Sequence, residues 1–204
     1  AIPVGVILIL QFFRYKIEGH DDVARLTKLP IIADVAIASN KAKGKADIVV
    51  HENQNNQMEE IFRSMRTNLQ FMLKEGQKVV LFTSSTSGEG KTFNAANLSV
   101  SFGLLGKKVI LVGLDIRRPR LAELFGINDH KHGITNLLVK DNPTIEDIYE
   151  QILPSGVNKN LDLLMAGPIP PNPAELIARN SLDIIINLLK EKYDYIMIDT
   201  APVG

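Results

Sequence analysis

Residues 79–93, V-V-L-F-T-S-S-T-S-G-E-G-K-T-F, restrict the possible folds of this chain more than any other stretch. Four apolar, β-prone residues, Val79–Phe82, run into a loop of small residues that ends in Gly88, Gly90, Lys91 and Thr92. A helix-compatible segment over 94–105 follows at once, and Gly106 is placed to stop it. Strand, small-residue loop, Gly-Lys-Thr and helix is the order that a phosphate-binding P-loop requires.

The order has a chemical reason. A polyphosphate is a dense anion, so the loop must present several backbone N–H groups at close range. Only residues with little or no Cβ bulk permit that approach. The helix starting at Lys91 and Thr92 adds its unpaired N–H groups and the positive end of its dipole. Lys91 can reach the outer phosphates, and the Thr92 hydroxyl suits Mg²⁺. Ser85, Thr86, Ser87, Gly88, Glu89, Gly90, Lys91, Thr92 and Phe93 are therefore the candidate nucleotide-binding residues. The pattern Gly-x4-Gly-Lys-Ser/Thr has Ser85 in place of its first glycine, a mild departure because serine is small.

Downstream residues supply carboxylates. The run 109–112 reads as a second, buried parallel strand, with Asp115 just past its carboxyl end. Open α/β sheets place their ligand chemistry there. A third strand candidate spans 161–165 and a fourth spans 195–198. The fourth ends in Asp199-Thr200-Ala201-Pro202, which has the form of a Walker B position. Between them, 167–173 is a proline-dense turn and 174–192 reads as one amphipathic helix. The expected fold is α/β, a P-loop NTPase with a mostly parallel sheet flanked by helices. Lys91, Asp115 and Asp199 are the candidate catalytic residues; Thr92, Asp115 and Asp199 are the candidate metal ligands.

The chain ahead of the P-loop has a different character. Residues 1–13 form an apolar run that ends in Phe12-Phe13 and then Arg14-Tyr15-Lys16. That is how the cytoplasmic end of a membrane span looks under the positive-inside bias. We read 1–16 as the end of a transmembrane helix and 17–56 as a juxtamembrane segment and linker. Within that segment, 18–35 contains a short amphipathic helix (Val23, Leu26), and 36–56 is polar and mobile. Residues 57–204 form the P-loop domain, whose C-terminal part is expected to continue past Gly204. Residues 58–74 are strongly helical, and Glu60, Arg63 and Arg66 share one side of that helix. This side is either a locally paired surface or a strip that docks on another subunit.

Composition excludes some classes. The 204 residues carry no net formal charge, so nothing points to nucleic acid. With no cysteine there is no disulfide framework or thiolate metal site. Of the four histidines only His130 and His132 lie close together, in a loop we read as solvated rather than metal-binding.

Taken together, S-S-T-S-G-E-G-K-T, G-L-D-I-R-R-P and I-M-I-D-T-A-P resemble the Walker A, A′ and B motifs of the bacterial tyrosine kinases. These are the cytoplasmic ATPase-like domains of polysaccharide co-polymerases. Glu60-x-x-Arg63-x-x-Arg66 is similar to that family's subunit-contact motif; R-T-N-L-Q-F, P-N-P-A-E-L-I and L-P-I-I-A-D-V also look like the family. The resemblance implies an ATP- and Mg²⁺-dependent tyrosine autokinase of capsule or exopolysaccharide export. It also implies a homo-oligomeric ring, a cognate tyrosine phosphatase, the polysaccharide export machinery as a partner, and an inner-membrane location with the kinase domain in the cytoplasm.

Two departures stand out. The family's A′ motif has Asp-x-Asp-x-Arg, whereas Gly113 stands here at the first acid. Loss of a sole base would cost roughly 10²–10⁴ in rate. Phosphoryl transfer runs mostly on positioning and charge neutralisation, so Asp115 is expected to suffice. The other concerns the family's tyrosine-rich tail, whose acceptor cluster is expected past Gly204. Only Tyr15, Tyr149, Tyr193 and Tyr195 are present, and the last two flank a core strand. Two other readings compete. One is a ParA/MinD-like ATPase switch, against which Thr86 stands where those proteins have a signature lysine. The other is a catalytically weak, nucleotide-gated assembly module.

Overall fold

The apolar runs of the sequence become strands of one mostly parallel sheet. The structure, a computed structural model, describes residues 17, 19–35, 48–52 and 56–203. The chain divides into two units, 1–34 and 35–204. The first contains helix α1 (His20–Leu26), which buries none of its residues; Leu26, expected on an apolar face, is 64% exposed. His20 Nδ1 lies 3.0 Å from Asp34 Oδ2. The membrane-span reading of 1–16 falls outside the described residues. Among the described residues no helix is long and apolar enough to cross a membrane.

In the second unit the described strands are β1 (Val79–Phe82), β2 (Val109–Gly113), β3 (Leu153–Pro154), β4 (Leu161–Leu164) and β5 (Tyr195–Asp199). Their order is β1-β5-β2-β4-β3, parallel except for the β3–β4 pair. β3 was not expected. It is only two residues long and one is proline, so it carries no periodic signal. The helices are α2 (Gln57–Met72), α3 (Lys91–Leu104), α4 (Leu121–Leu124), α5 (Ile134–Leu138), α6 (Ile145–Gln151), α7 (Pro173–Ile177) and α8 (Asn180–Lys192).

Alternation along the strands fills two cores. Ile110, Val112, Leu164, Ile196 and Ile198 pack with Ile134, Leu138, Ile148, Leu176, Ile185 and Leu189 from α5–α8. On the other face α3 buries every residue from 95 to 103, and the Phe102 ring lies 4.3 Å from that of Tyr195. Each fully buried large aliphatic side chain contributes about 1.5–3 kcal/mol. Together they hold the sheet rigid beneath the loops at its carboxyl edge.

Two sequence expectations need correction here. The helix read over 174–192 breaks into α7 and α8 at Ala178–Arg179. The break lets Arg179 Nη1 donate to the carbonyls of Leu138 (3.2 Å) and Val139 (3.0 Å), while Ser181 Oγ donates to Leu138 at 3.1 Å. These carbonyls at the end of α5 have no helical partner of their own, which is why a local break is favourable. Of the stretch 36–56, read as mobile, residues 36–47 and 53–55 lie outside the described residues, and the reading fails at 48–50. Ile48 and Val50 are buried, and the backbone N–H groups of Val49 and Val50 donate to Asn97 Oδ1 at 2.7 and 3.2 Å.

Candidate active site

Three strand ends line up. Phe82 of β1, Asp199 of β5 and Gly113 of β2 are register partners across the sheet. The loops leaving them are tied together. The N–H groups of Leu114 and Asp115 donate to the Asp199 carbonyl at 2.7 and 3.1 Å. Thr200 donates to the Phe82 carbonyl through its N–H (3.2 Å) and its hydroxyl (2.8 Å), and Val203 N–H reaches the Ser84 carbonyl at 3.0 Å. Nothing in local propensity announces these links; they follow from β5 lying between β1 and β2.

The loop from β1 to α3 turns on Gly88 (φ 94°) and Gly90 (φ 83°), both in the left-handed region that favours glycine. Gly90 is the N-cap of α3, so the helix opens at Lys91 with its N–H groups toward the loop. Glu89 straps the loop from within. Its carboxylate accepts from Ser85 N–H (3.0 Å), Ser85 Oγ (2.6 Å) and Thr86 Oγ1 (3.0 Å). Those donors, the Ser85 hydroxyl first, hold the Glu89 carboxyl below its ordinary range.

Lys91 Nζ donates to Asp199 Oδ1 at 2.6 Å and lies 3.5 Å from Thr92 Oγ1. The two charged side chains are 9% and 3% exposed. Burial pushes the Asp199 carboxyl above the usual carboxylate range; Lys91, then Thr92, pull it partly back, and the charge of Asp115 pushes it up again. The structure thus brings Lys91, Thr92 and Asp199 together, with Asp115 one strand away. Asp115 Oδ1 accepts from the N–H groups of Arg117 (3.3 Å) and Arg118 (3.0 Å), and among the described residues Oδ2 has no hydrogen bond.

A divalent cation fits this donor set in one particular way. Among the described residues no cluster of three or more His, Asp or Glu side chains could hold a metal alone. Mg²⁺ takes few protein ligands when it arrives on a nucleotide's phosphates, and a hydroxyl plus one or two carboxylates is the usual complement. Thr92, Asp199 and Asp115 carry the hydroxyl and carboxylate oxygens that such a complement would use. His132 is instead engaged with Asp129, Nδ1 to Oδ2 at 2.7 Å. A surface concavity of about 620 Å³ lined by residues 127–131 and by Leu153 and Pro154 involves none of the P-loop residues.

The Glu60, Arg63 and Arg66 side chains do not form one uniform strip. Arg63 bridges Glu60 (2.8 Å) and Glu59 (3.1 Å). Arg66 turns onto α3, donating from Nη1 to Ser101 O at 2.6 Å and to Ser101 Oγ at 3.2 Å. Residues missed from the sequence lie here too. Glu59 is buried at 7% exposure, and Asn97 is fully buried, bonded to the 49–50 backbone and to the Phe93 carbonyl at 2.9 Å. Asn97 is four residues from Phe93 and four from Ser101. The polar row Asn94, Asn97 and Ser101, spaced three and four inside an otherwise apolar helix, was the available signal.

The chain matches the AAA domain family model over residues 77–203. CapB of Staphylococcus aureus, assigned to the tyrosine-protein kinases, is 35% identical over 167 residues, covering 80% of this chain and 71% of CapB. The tyrosine-protein kinase YwqD of Bacillus subtilis is 38% identical over 145 residues, covering 71% of this chain and 59% of YwqD. The solved BceF tyrosine kinase domain superposes with a TM-score of 0.79 at 30% identity, covering 93% of this chain and 78% of that one. The chain thus spans less than two thirds of YwqD and about seven tenths of CapB.

Proposed function

Since this chain belongs to the bacterial tyrosine kinases, a family of AAA-type P-loop proteins, we propose that it transfers the γ-phosphoryl group of ATP to tyrosine hydroxyls of copies of itself. The observation that carries the reading is the 2.6 Å contact of Lys91 with Asp199, which joins the P-loop to the end of β5 through two side chains largely shielded from solvent. Backbone N–H groups of residues 88–92 and the start of α3 bind the phosphates. Lys91 leaves Asp199 for the outer phosphates. Thr92, Asp199 and Asp115 would hold Mg²⁺, which would supply charge neutralisation at the phosphates.

The acceptor oxygen then bonds to the γ-phosphorus, the bond from that phosphorus to the β,γ-bridging oxygen breaks, and ADP departs. The tyrosine proton passes to Asp115 Oδ2, the oxygen left free by the Arg117 and Arg118 N–H groups. Positioning and electrostatics provide most of the acceleration, which is why one acid at 115 suffices where Gly113 stands beside it.

In the same reading, residues 1–16 are the end of a span of the inner membrane, 17–56 the juxtamembrane segment, and 57–204 the cytoplasmic kinase domain. Glu60, Arg63 and Arg66 arrange a ring in which each copy phosphorylates its neighbour. A cognate tyrosine phosphatase resets it, and the cycle governs capsular or exopolysaccharide export. Phosphotyrosine mass spectrometry on the full-length protein, wild type beside Lys91→Met, tests the central step. Modified tyrosines are expected in the first and none in the second; an unmodified wild type under Mg-ATP overturns the reading. ATP binding without transfer, indifferent to Asp115→Asn, would instead assign the chain to a nucleotide-gated assembly module.

A further inference from the structure

Residues 117–120, Arg-Arg-Pro-Arg, follow Asp115 directly, and the mechanism above uses only two of their backbone N–H groups. Arg117, Arg118 and Arg120 are all exposed. Among the described residues none of the three takes part in an ion pair. Their charges do not serve the local fold either. Arg120 stands at the N-cap of α4, where a cation meets the positive end of the helix and an acid would be favoured. Yet the backbone carrying them is held firmly. Asp115 Oδ1 accepts from Arg117 and Arg118, the Leu114 and Asp115 N–H groups bind the Asp199 carbonyl, and Pro119 restricts the turn. Three guanidinium side chains with no ion pair among the described residues are therefore carried on a held backbone within five residues of the carboxylate that receives the acceptor's proton.

Their counter-anion is either the nucleotide or the acceptor. The nucleotide phosphates already have the P-loop N–H groups, the start of α3 and Lys91, all on the β1 side of Asp199. The arginines leave from β2, on the other side of Asp199 in the sheet. A guanidinium binds a carboxylate through two parallel N–H donors. We propose that Arg118 and Arg120, with Arg117 beside them, form an acceptor-binding surface that selects tyrosines flanked by aspartate or glutamate. The inference rests on the tyrosine-kinase reading and names its substrate class. Single exposed charge pairs are weak, so selection comes from several acting together and weakens with salt.

The test gives the purified full chain Mg-ATP and two peptides that differ only in having glutamates or lysines around one tyrosine. The wild type is expected to favour the glutamate peptide by about tenfold in kcat/KM, through KM, with the preference shrinking at high salt. Arg118→Glu with Arg120→Glu is expected to reverse the preference and leave the KM for ATP unmoved. Equal use of both peptides by the wild type overturns the proposal, and that comparison decides even if the double variant does not fold. A KM for ATP that rises in the variant assigns the arginines to the nucleotide and overturns it as well. Phosphorylation of neither peptide, nor of the chain itself, sinks the kinase reading and this inference with it, and is thereby distinguishable from a failure of selectivity alone.

Discussion

Glu89 and Gly113 are the two positions where a single side chain decides most. The Glu89 carboxylate crosses the P-loop to the Ser85 and Thr86 donors, so the loop is preshaped before any ligand arrives. Glu89→Ala is expected to weaken ATP binding by about three- to tenfold, measured by titration calorimetry, with no loss of helix content. The strap requires an ionised carboxylate. Its acidity is enhanced relative to the ordinary 4.5, so the strap is present above that value and is lost only as pH falls through the lowered one. Gly113 is the departure from the family's A′ motif. A Cβ there meets Leu121 Cδ2 at 3.3 Å and the Ala166 backbone nitrogen at 3.4 Å. Gly113→Asp is expected to cost roughly 1–2 kcal/mol of stability in chemical denaturation, because the leucine can yield but the backbone cannot. If Asp115 suffices as proposed, phosphotransfer rises by no more than about tenfold; a gain near 10²-fold would show that the glycine had removed the base.

Helix α2 illustrates how a motif can be readable while its mechanics are not. The spacing of Glu60, Arg63 and Arg66 is visible in the sequence, but the identity of their partners is a tertiary fact. Arg63 pairs with the exposed Glu60 and with the buried Glu59, so its removal leaves a buried carboxylate without its cation. Arg66 is part of the α2–α3 packing through Ser101. Burial, then the neighbouring Arg63 charge, lowers its guanidinium pKa. Arg63→Ala is therefore expected to dissolve oligomers on light scattering and to lower the melting temperature, because the Glu59 carboxylate stays buried without its cation. Arg66→Ala should dissolve them and also lose about 1–3 kcal/mol, seen as a lower melting temperature. A wild-type melting temperature in Arg66→Ala would mean that the Ser101 contact is not stabilising. The turn before α5 carries a comparable hidden constraint. A Cβ on Gly133 would fall 2.2 Å from the Gly167 nitrogen and 2.5 Å from the Met165 carbonyl oxygen. Gly133→Ala is expected to destabilise by more than about 2 kcal/mol in chemical denaturation, since backbone stands on both sides. In the sequence this glycine merely bounds a loop.

Across the whole molecule, what could be read in advance was what short-range chemistry encodes. Four apolar runs gave β1, β2, β4 and β5, and the small-residue loop before Lys91 identified the P-loop. Asp115 and Asp199 were legible as candidates because each follows an apolar run, and both stand at the carboxyl edge of the sheet. What could not be read depended on pairing between distant segments. The strand order, the links from Leu114, Asp115 and Thr200 that tie the loops, and the burial of Ile48 and Val50 all belong to that class. The break at Arg179 does too, because the carbonyls that reward it lie some forty residues upstream.

β1 and β2 do not touch; the last described strand is wedged between them. During synthesis, then, the P-loop emerges long before the element that seats it. β2 and β4 can pair early, but among the described strands β1 pairs only with β5 and so lacks a strand partner until Tyr195–Asp199 leaves the ribosome, and Lys91 lacks Asp199 until the same moment. Closure of the sheet and assembly of the phosphate site are one event, so a nascent chain halted before β5 should be unable to retain ATP even with its entire P-loop exposed.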